Sequence, residues 1–280
     1  MEGAGSIFHS LRRRREKSMD WSKTKTIFIT VFLILDIFLL AVFLNKHSAS
    51  QFEFIKEASI EDKLKSYNIE YGKLPEEVSE ETILTAKTKS FTKKEVSLLQ
   101  NQTVKFPDNQ TVLESHLQKP IKLGEKKLED LKAFVETEVI FGDQYQYWEL
   151  DSEKNTAIFY QHYKDKKLFE IKNGRLEVQL NSNNEIIGYK QTMLEDLKEN
   201  GQEESIISAH QAIQTLYKNG LIKPNSKISD VELGYYTFVH LTELQVLTPT
   251  WYFKIKNGEK TEKMFVNAFD GSIYKNEENS

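Results

Sequence analysis

Few residues in this chain are spaced for catalysis. The six histidines are His9, His47, His116, His162, His210 and His240. No two of them stand at i, i+4 or at another metal-ligand spacing. His210 falls on the apolar side of a helical pattern, where a packed core histidine is the expectation. There is no cysteine, which excludes thiol catalysis, thiolate zinc sites and a disulfide framework. No nucleophile elbow, phosphate-binding loop or dinucleotide-binding glycine pattern occurs. Carboxylates are numerous but scattered, and the acidic run Glu76, Glu77, Glu80 and Glu81 reads as a solvated face. The formal charge of −4 implies no general attraction to nucleic acid. The expectation is a protein that is not an enzyme and needs no cofactor and no metal. An unrecognised pair of hydrolytic carboxylates is the competing reading.

Two other groups of residues have chemistry to explain. Asp36 lies inside a long apolar run, where a carboxyl is costly and usually faces another helix or a polar cavity. The alternative there is a tolerated polar residue. Aromatics crowd two later regions, Tyr145, Tyr147, Trp148, Tyr160 and Tyr163, then Tyr235, Tyr236, Phe238, Trp251, Tyr252 and Phe253. Most belong in a core, but strand alternation sends some outward, where aromatics serve as protein-binding anchors. The candidate partner-binding residues are therefore Asp36 with Phe32 and Phe43, and Trp148 and Trp251.

The element that must carry Asp36 is the run TIFITVFLILDIFLLAVFL at residues 26–44. As a helix it spans about 28 Å, close to the hydrocarbon thickness of a bilayer. Its apolar residues outweigh the cost of about 3 kcal/mol for one central carboxyl. Arg12, Arg13, Arg14, Arg15, Lys17, Lys23 and Lys25 precede it, so residues 1–25 should form a basic cytoplasmic tail and the rest should lie outside. A cleaved signal peptide is the rival reading, with Ser48-Ala49-Ser50 as its small-residue site. The length of the run favours an uncleaved anchor.

The elements that must carry the aromatics are written twice. Residues 169–174 read FEIKNG and residues 253–258 read FKIKNG. Each reads as a strand ending in an Asn-Gly hairpin turn. A further strand, a second turn (Ser182-Asn183-Asn184 or Asp270-Gly271) and a short last strand follow, closing at Tyr189-Lys190 or Tyr274-Lys275. A helix precedes each copy. The first, over residues 124–141, puts Leu128, Leu131, Val135 and Val139 on one face; the second, over 203–219, does the same with Ile206, His210, Ile213 and Tyr217. A shorter helix is expected over residues 59–67, capped by Ser59. Asn200-Gly201 should break the chain between the copies.

The expected fold is α+β: a single N-terminal transmembrane helix followed by extracytoplasmic repeated helix-plus-antiparallel-sheet domains, with 124–192 answered by 203–276. The expected divisions are a cytoplasmic tail at 1–25, the span at 26–44, a connector at 45–58, a first domain at 59–199 with a sub-boundary near 123, and a second at 200–280.

The stretch MDWSKTKTIFITVFLILDIFLL at residues 19–40 resembles the start of the YycI (WalI) family. The family pattern opens at a Met-Asp-Trp, here Met19-Asp20-Trp21, and this chain carries additional residues before it. The resemblance implies a non-enzymatic, single-pass regulator in the cell-wall two-component system of low-GC Gram-positive bacteria. It implies two partners, the sensor histidine kinase YycG (WalK) and the related accessory protein YycH. The alternative from a different class is a membrane-anchored ligand- or peptidoglycan-binding module with no kinase partner.

Overall fold

The computed structural model describes residues 21–51, 57–75, 80–237 and 244–274. Two units are distinguished, residues 1–61 and 62–280. The first contains α1 (Trp21–Gln51), a single uninterrupted helix. Its side chains from Lys25 to Val42 are described, and none is buried.

Past α1 the chain forms α2 (Glu57–Ser66), β1 (Glu70–Tyr71), β2 (Glu80–Thr88), α3 (Lys93–Val96), β3 (Gln102–Asp108) and β4 (Val112–Lys122). Next come α4 (Lys127–Glu138), β5 (Tyr145–Asp151), β6 (Thr156–Tyr163), β7 (Lys166–Lys167), β8 (Arg175–Leu180), β9 (Glu185–Gln191) and β10 (Leu194–Ser205). The last part is α5 (Ala209–Lys218), β11 (Lys227–Tyr236), β12 (Leu244–Asn257), β13 (Lys260–Asn267) and β14 (Ile273–Tyr274). Ser59 lies inside α2 rather than capping it.

Two sheets result. The first runs β3-β4-β9-β8-β6-β5, and the second runs β1-β11-β12-β13-β14 with β2 joining β12 to β10. Helix, then four antiparallel strands joined in succession, occurs in both: α4 with β5-β6-β8-β9, and α5 with β11-β12-β13-β14. Leu131, Phe134 and Val135 of α4 enter the core of the first sheet with Phe159, Leu176, Val178 and Tyr189. Leu128 stays 38% exposed, so the apolar face is set by 131, 134 and 135.

The division expected at residues 199 and 200 falls inside β10, whose Asn200 pairs with Ile83 of β2. Asn200-Gly201 does not break the chain. Gly201 takes φ +102° where the β10–β2 register shifts, so its freedom serves a bulge. The helix expected from residue 203 starts at 209, because Ser208 accepts the N–H of Gln211 and Gln211 accepts the N–H of Ser208. That cap turns the buried face of α5 to Ala209, Ala212, Ile213 and Leu216, and His210 is half-buried. Residues 62–280 form one compact unit, since β1 and β2 pair with β11 and β12.

The two hexapeptides take different forms. FKIKNG ends β12, and Gly258 at φ +62° turns the chain tightly into β13. FEIKNG is not a strand. Glu170 has φ +49°, and Lys172–Gly174 is a 3₁₀ turn. The stretch from Lys166 to Gly174 forms an arm that is tied to β6 through β7 and then leaves the first sheet. Leu168 bridges to Tyr235 in parallel, and the Phe169 N–H donates to the Tyr235 carbonyl at 2.7 Å. Leu168, Phe169 and Ile171 are fully buried. Leu168 and Ile171 pack with Leu84, Leu194, Tyr235 and Leu247, and Phe169 with Tyr252, Phe265 and Tyr274. Each such side chain contributes about 1.5–3 kcal/mol over exposure. Gly234 admits the arm: a Cβ there would stand 2.4 Å from the Lys167 carbonyl oxygen and 2.5 Å from the Phe169 ring.

Candidate partner-binding site

Asp36 and Phe32 stand exposed on α1 among exposed Leu33, Leu35, Leu39 and Leu40. The Thr30 hydroxyl turns back to the Thr26 carbonyl at 2.8 Å, so it is satisfied within the helix. A carboxylate at Asp36 has no equivalent acceptor role toward the helix backbone, whose N–H groups are already engaged. Phe43 lies in α1, and its side chain is outside the described residues.

Trp148 is half-buried on β5, and it is a wedge between the sheets rather than a free anchor. Its ring lies 4.8 Å from Tyr252, 5.8 Å from Phe169 and 5.9 Å from Tyr160. Lys263 and Lys167 sit over that ring at 5.2 and 5.8 Å. Their charges are met in turn. Lys263 reaches Glu149 at 2.6 Å and Glu170 at 3.3 Å, and Lys167 reaches Glu232 at 2.7 Å. Four of these groups, Lys167, Glu170, Glu232 and Lys263, lie on the arm or on the sheet that receives it.

Trp251 is 1% exposed, and its indole N–H donates to the Ile207 carbonyl at 2.8 Å. It is a core residue and offers no surface. Trp251, Tyr252 and Phe253 are consecutive and all buried. Alternation therefore misleads at this point: β12 is covered on both faces, so its pattern is a continuous apolar run.

Sequence reasoning also placed Glu81 on a solvated face, and this is corrected. Glu81 is 8% exposed, pairs with Lys166 of the arm, and accepts the Tyr235 hydroxyl at 3.0 Å. Burial first, then the neighbouring Glu81 carboxylate, pushes the Tyr235 phenol far above its ordinary value. Beside this group Lys164 pairs with Glu199 at 2.6 Å, and that pairing holds the Glu199 carboxyl below the usual range. Glu76 and Glu77 lie outside the described residues. The one local signal for Glu81 is its place just before Thr82, Ile83 and Leu84 at a strand start, which charge alone conceals.

A buried amide clips the passage from one sheet to the other. Gln161 of β6 is fully buried; it accepts the Leu194 N–H at 2.6 Å and donates to the Leu194 carbonyl at 3.0 Å. Among the described residues no group of three or more His, Asp or Glu is arranged to hold a metal ion.

The arm, its ion pairs and most of the unit of residues 62–280 lie within the span that the family model of the YycI protein matches, residues 49–269. The chain belongs to the YycI family. The match rests mainly on the unit of residues 62–280, whereas most of α1 lies before it. YycI membership makes this a regulatory accessory protein of a two-component system, in a family not known for enzymatic activity. Among solved structures, an uncharacterized protein from Eubacterium rectale is 10% identical with a TM-score of 0.45, covering 75% of this chain and 91% of that one. The YpeB C-terminal domain of Bacillus megaterium is 15% identical with a TM-score of 0.39, covering 65% of this chain and 92% of its own. No curated protein matches the chain.

Proposed function

We propose that this YycI-family chain is a single-pass regulator that binds a YycG-type sensor histidine kinase together with a YycH-like accessory protein. The basic residues before α1 keep residues 1–25 in the cytoplasm, and the unit of residues 62–280 lies outside. Asp36 and Phe32, with Phe43, form the intramembrane contact. A carboxyl in hydrocarbon is satisfied by a hydrogen bond from a polar group on a neighbouring helix, worth about 1 kcal/mol. The outer unit supplies the second contact. Such a regulator shifts the kinase between states only by binding one of them more tightly. The observation that carries this reading is the family match over residues 49–269, joined to an apolar helix with none of its described residues buried.

Co-purification from native membranes tests it. A histidine kinase recovered with the full chain supports the regulator; saccharide or peptide binding without a kinase supports a ligand-binding module instead. Asp36→Leu should insert at least as well as the parent chain, yet reduce recovery of the kinase. Unchanged recovery and unchanged output of the regulated genes would assign the interaction to the outer unit alone.

A further inference from the structure

Among the described strands, those with a single partner are guarded in different ways. β1, β7 and β14 have two residues each. β3 carries Lys105 and Pro107, and β10 carries Glu195, Asp196, Glu199, Glu203 and Glu204. Short length, proline and charge are the usual protections of a sheet edge. β5 pairs only with β6, and its first four residues, Tyr145 to Trp148, are uncharged. A bulge at Trp148 shifts its register and separates the uncharged Tyr145–Tyr147 from Glu149–Asp151, which carries two carboxylates.

A groove of about 520 Å³ lies against the uncharged part. Tyr145, Gln146 and Tyr147 line it in succession. Successive strand residues point to opposite faces, so a groove that touches all three runs along the strand's edge. Val135 and Phe159 form an apolar floor, and Lys132 and Glu136 of α4 form the opposite rim. One end is held by His162, whose ring nitrogens face the carbonyls of Lys164 and Asp143 at 2.6 and 3.2 Å. The Asp143 and Lys167 side chains also border the groove, Lys167 being paired with Glu232.

The rim charges specify an occupant. Lys132 and Glu136 are one helical turn apart, about 6 Å, and neither makes an ion pair among the described residues. Side chains at i and i+2 of an extended chain lie on one face about 6.7 Å apart. We propose that the groove takes an extended segment of a partner polypeptide as an added strand on Tyr145–Tyr147, with one basic and one acidic side chain two residues apart facing Glu136 and Lys132. Main-chain hydrogen bonds to the edge supply affinity, and the two rim charges supply selection. This goes beyond the kinase reading, because it specifies the segment recognised and not which protein presents it.

The test uses the full chain in detergent micelles and fluorescein-labelled pentapeptides, read by anisotropy. Val-Lys-Val-Glu-Val should bind saturably. Val-Lys-Val-Lys-Val and Val-Glu-Val-Glu-Val should bind about fivefold more weakly, the scale of one exposed ion pair replaced by a repulsion. N-methylation of the central peptide bond should abolish binding. Lys132→Glu, at an exposed helix position, should reverse the order and favour the Lys-Val-Lys peptide. No saturable binding up to millimolar protein, binding that survives N-methylation, or an order unchanged by Lys132→Glu would each overturn the proposal.

Discussion

FEIKNG and FKIKNG differ at one residue, yet residues 169–174 form an arm buried in the other sheet and residues 253–258 form a strand end and hairpin. What the copies share is position: in each, Lys-Asn-Gly is followed within two residues by the third strand of the meander, Arg175 onward or Lys260 onward. What they do not share is surroundings. Phe253 sits within a ladder paired on both sides, with Val231 and Met264. Phe169 has no such ladder and instead meets the backbone of Tyr235 and the rings of Tyr252 and Phe265. A short sequence proposes a turn; the partners available on each flank decide whether the approach is a strand.

The largest expected effect tests how much the arm contributes. Phe169→Ala should cost about 3–5 kcal/mol in urea unfolding, as should Phe253→Ala, since both side chains are fully buried. A cost below about 1 kcal/mol at Phe169 alone would mean that the arm is only laid on the second sheet. The next effect separates two uses of glycine. Gly234→Ala meets the arm directly and should cost about 1–3 kcal/mol through overpacking. Gly258→Ala meets no atom within 4 Å, but holds φ +62°, and should cost about 1–2 kcal/mol through backbone strain. Asparagine distinguishes them: it tolerates the left-handed conformation and should recover most of the loss at 258 and none at 234.

Much of this was legible in the sequence. The helix-plus-meander unit, its repetition, the turns at 182–184 and 270–271 and the apolar span could be read because each follows from local periodicity or turn chemistry. The arm could not. Leu168, Phe169 and Ile171 look like a strand's apolar residues, and only the second sheet, with Gly234 opposite, shows that they leave their own. Glu81 and Trp251 were misplaced for a related reason. Charge suggests solvent and alternation suggests one exposed face, but β2 is crossed by the arm and β12 is covered on both sides. Burial set by segments distant in sequence leaves no local period.

The smallest expected effect addresses the one residue that differs between the copies. Glu170 of the arm reaches Lys263 of β13 at 3.3 Å, while its counterpart Lys254 lies in β12 near Asp230, at 3.9 Å. Glu170→Lys would make the hexapeptides identical. Both residues carry a Cβ, so the cost of φ +49° is the same before and after, and charge is what changes. The variant removes one partner of Lys263 and sets a third cation beside Lys167 and Lys263 at the Trp148 ring. Lys263 keeps Glu149 at 2.6 Å, which limits the loss to about 1 kcal/mol. Glu170→Gln, which removes the pair without adding repulsion, should cost less. The difference between the two variants should shrink in 1 M salt, where the screening length falls to about 3 Å. In both, the Phe169 amide should stay protected from hydrogen exchange by its bond to the Tyr235 carbonyl. If Glu170→Lys instead exposes that amide, the hexapeptide's own sequence, and not the sheet that receives it, decides which form each copy takes.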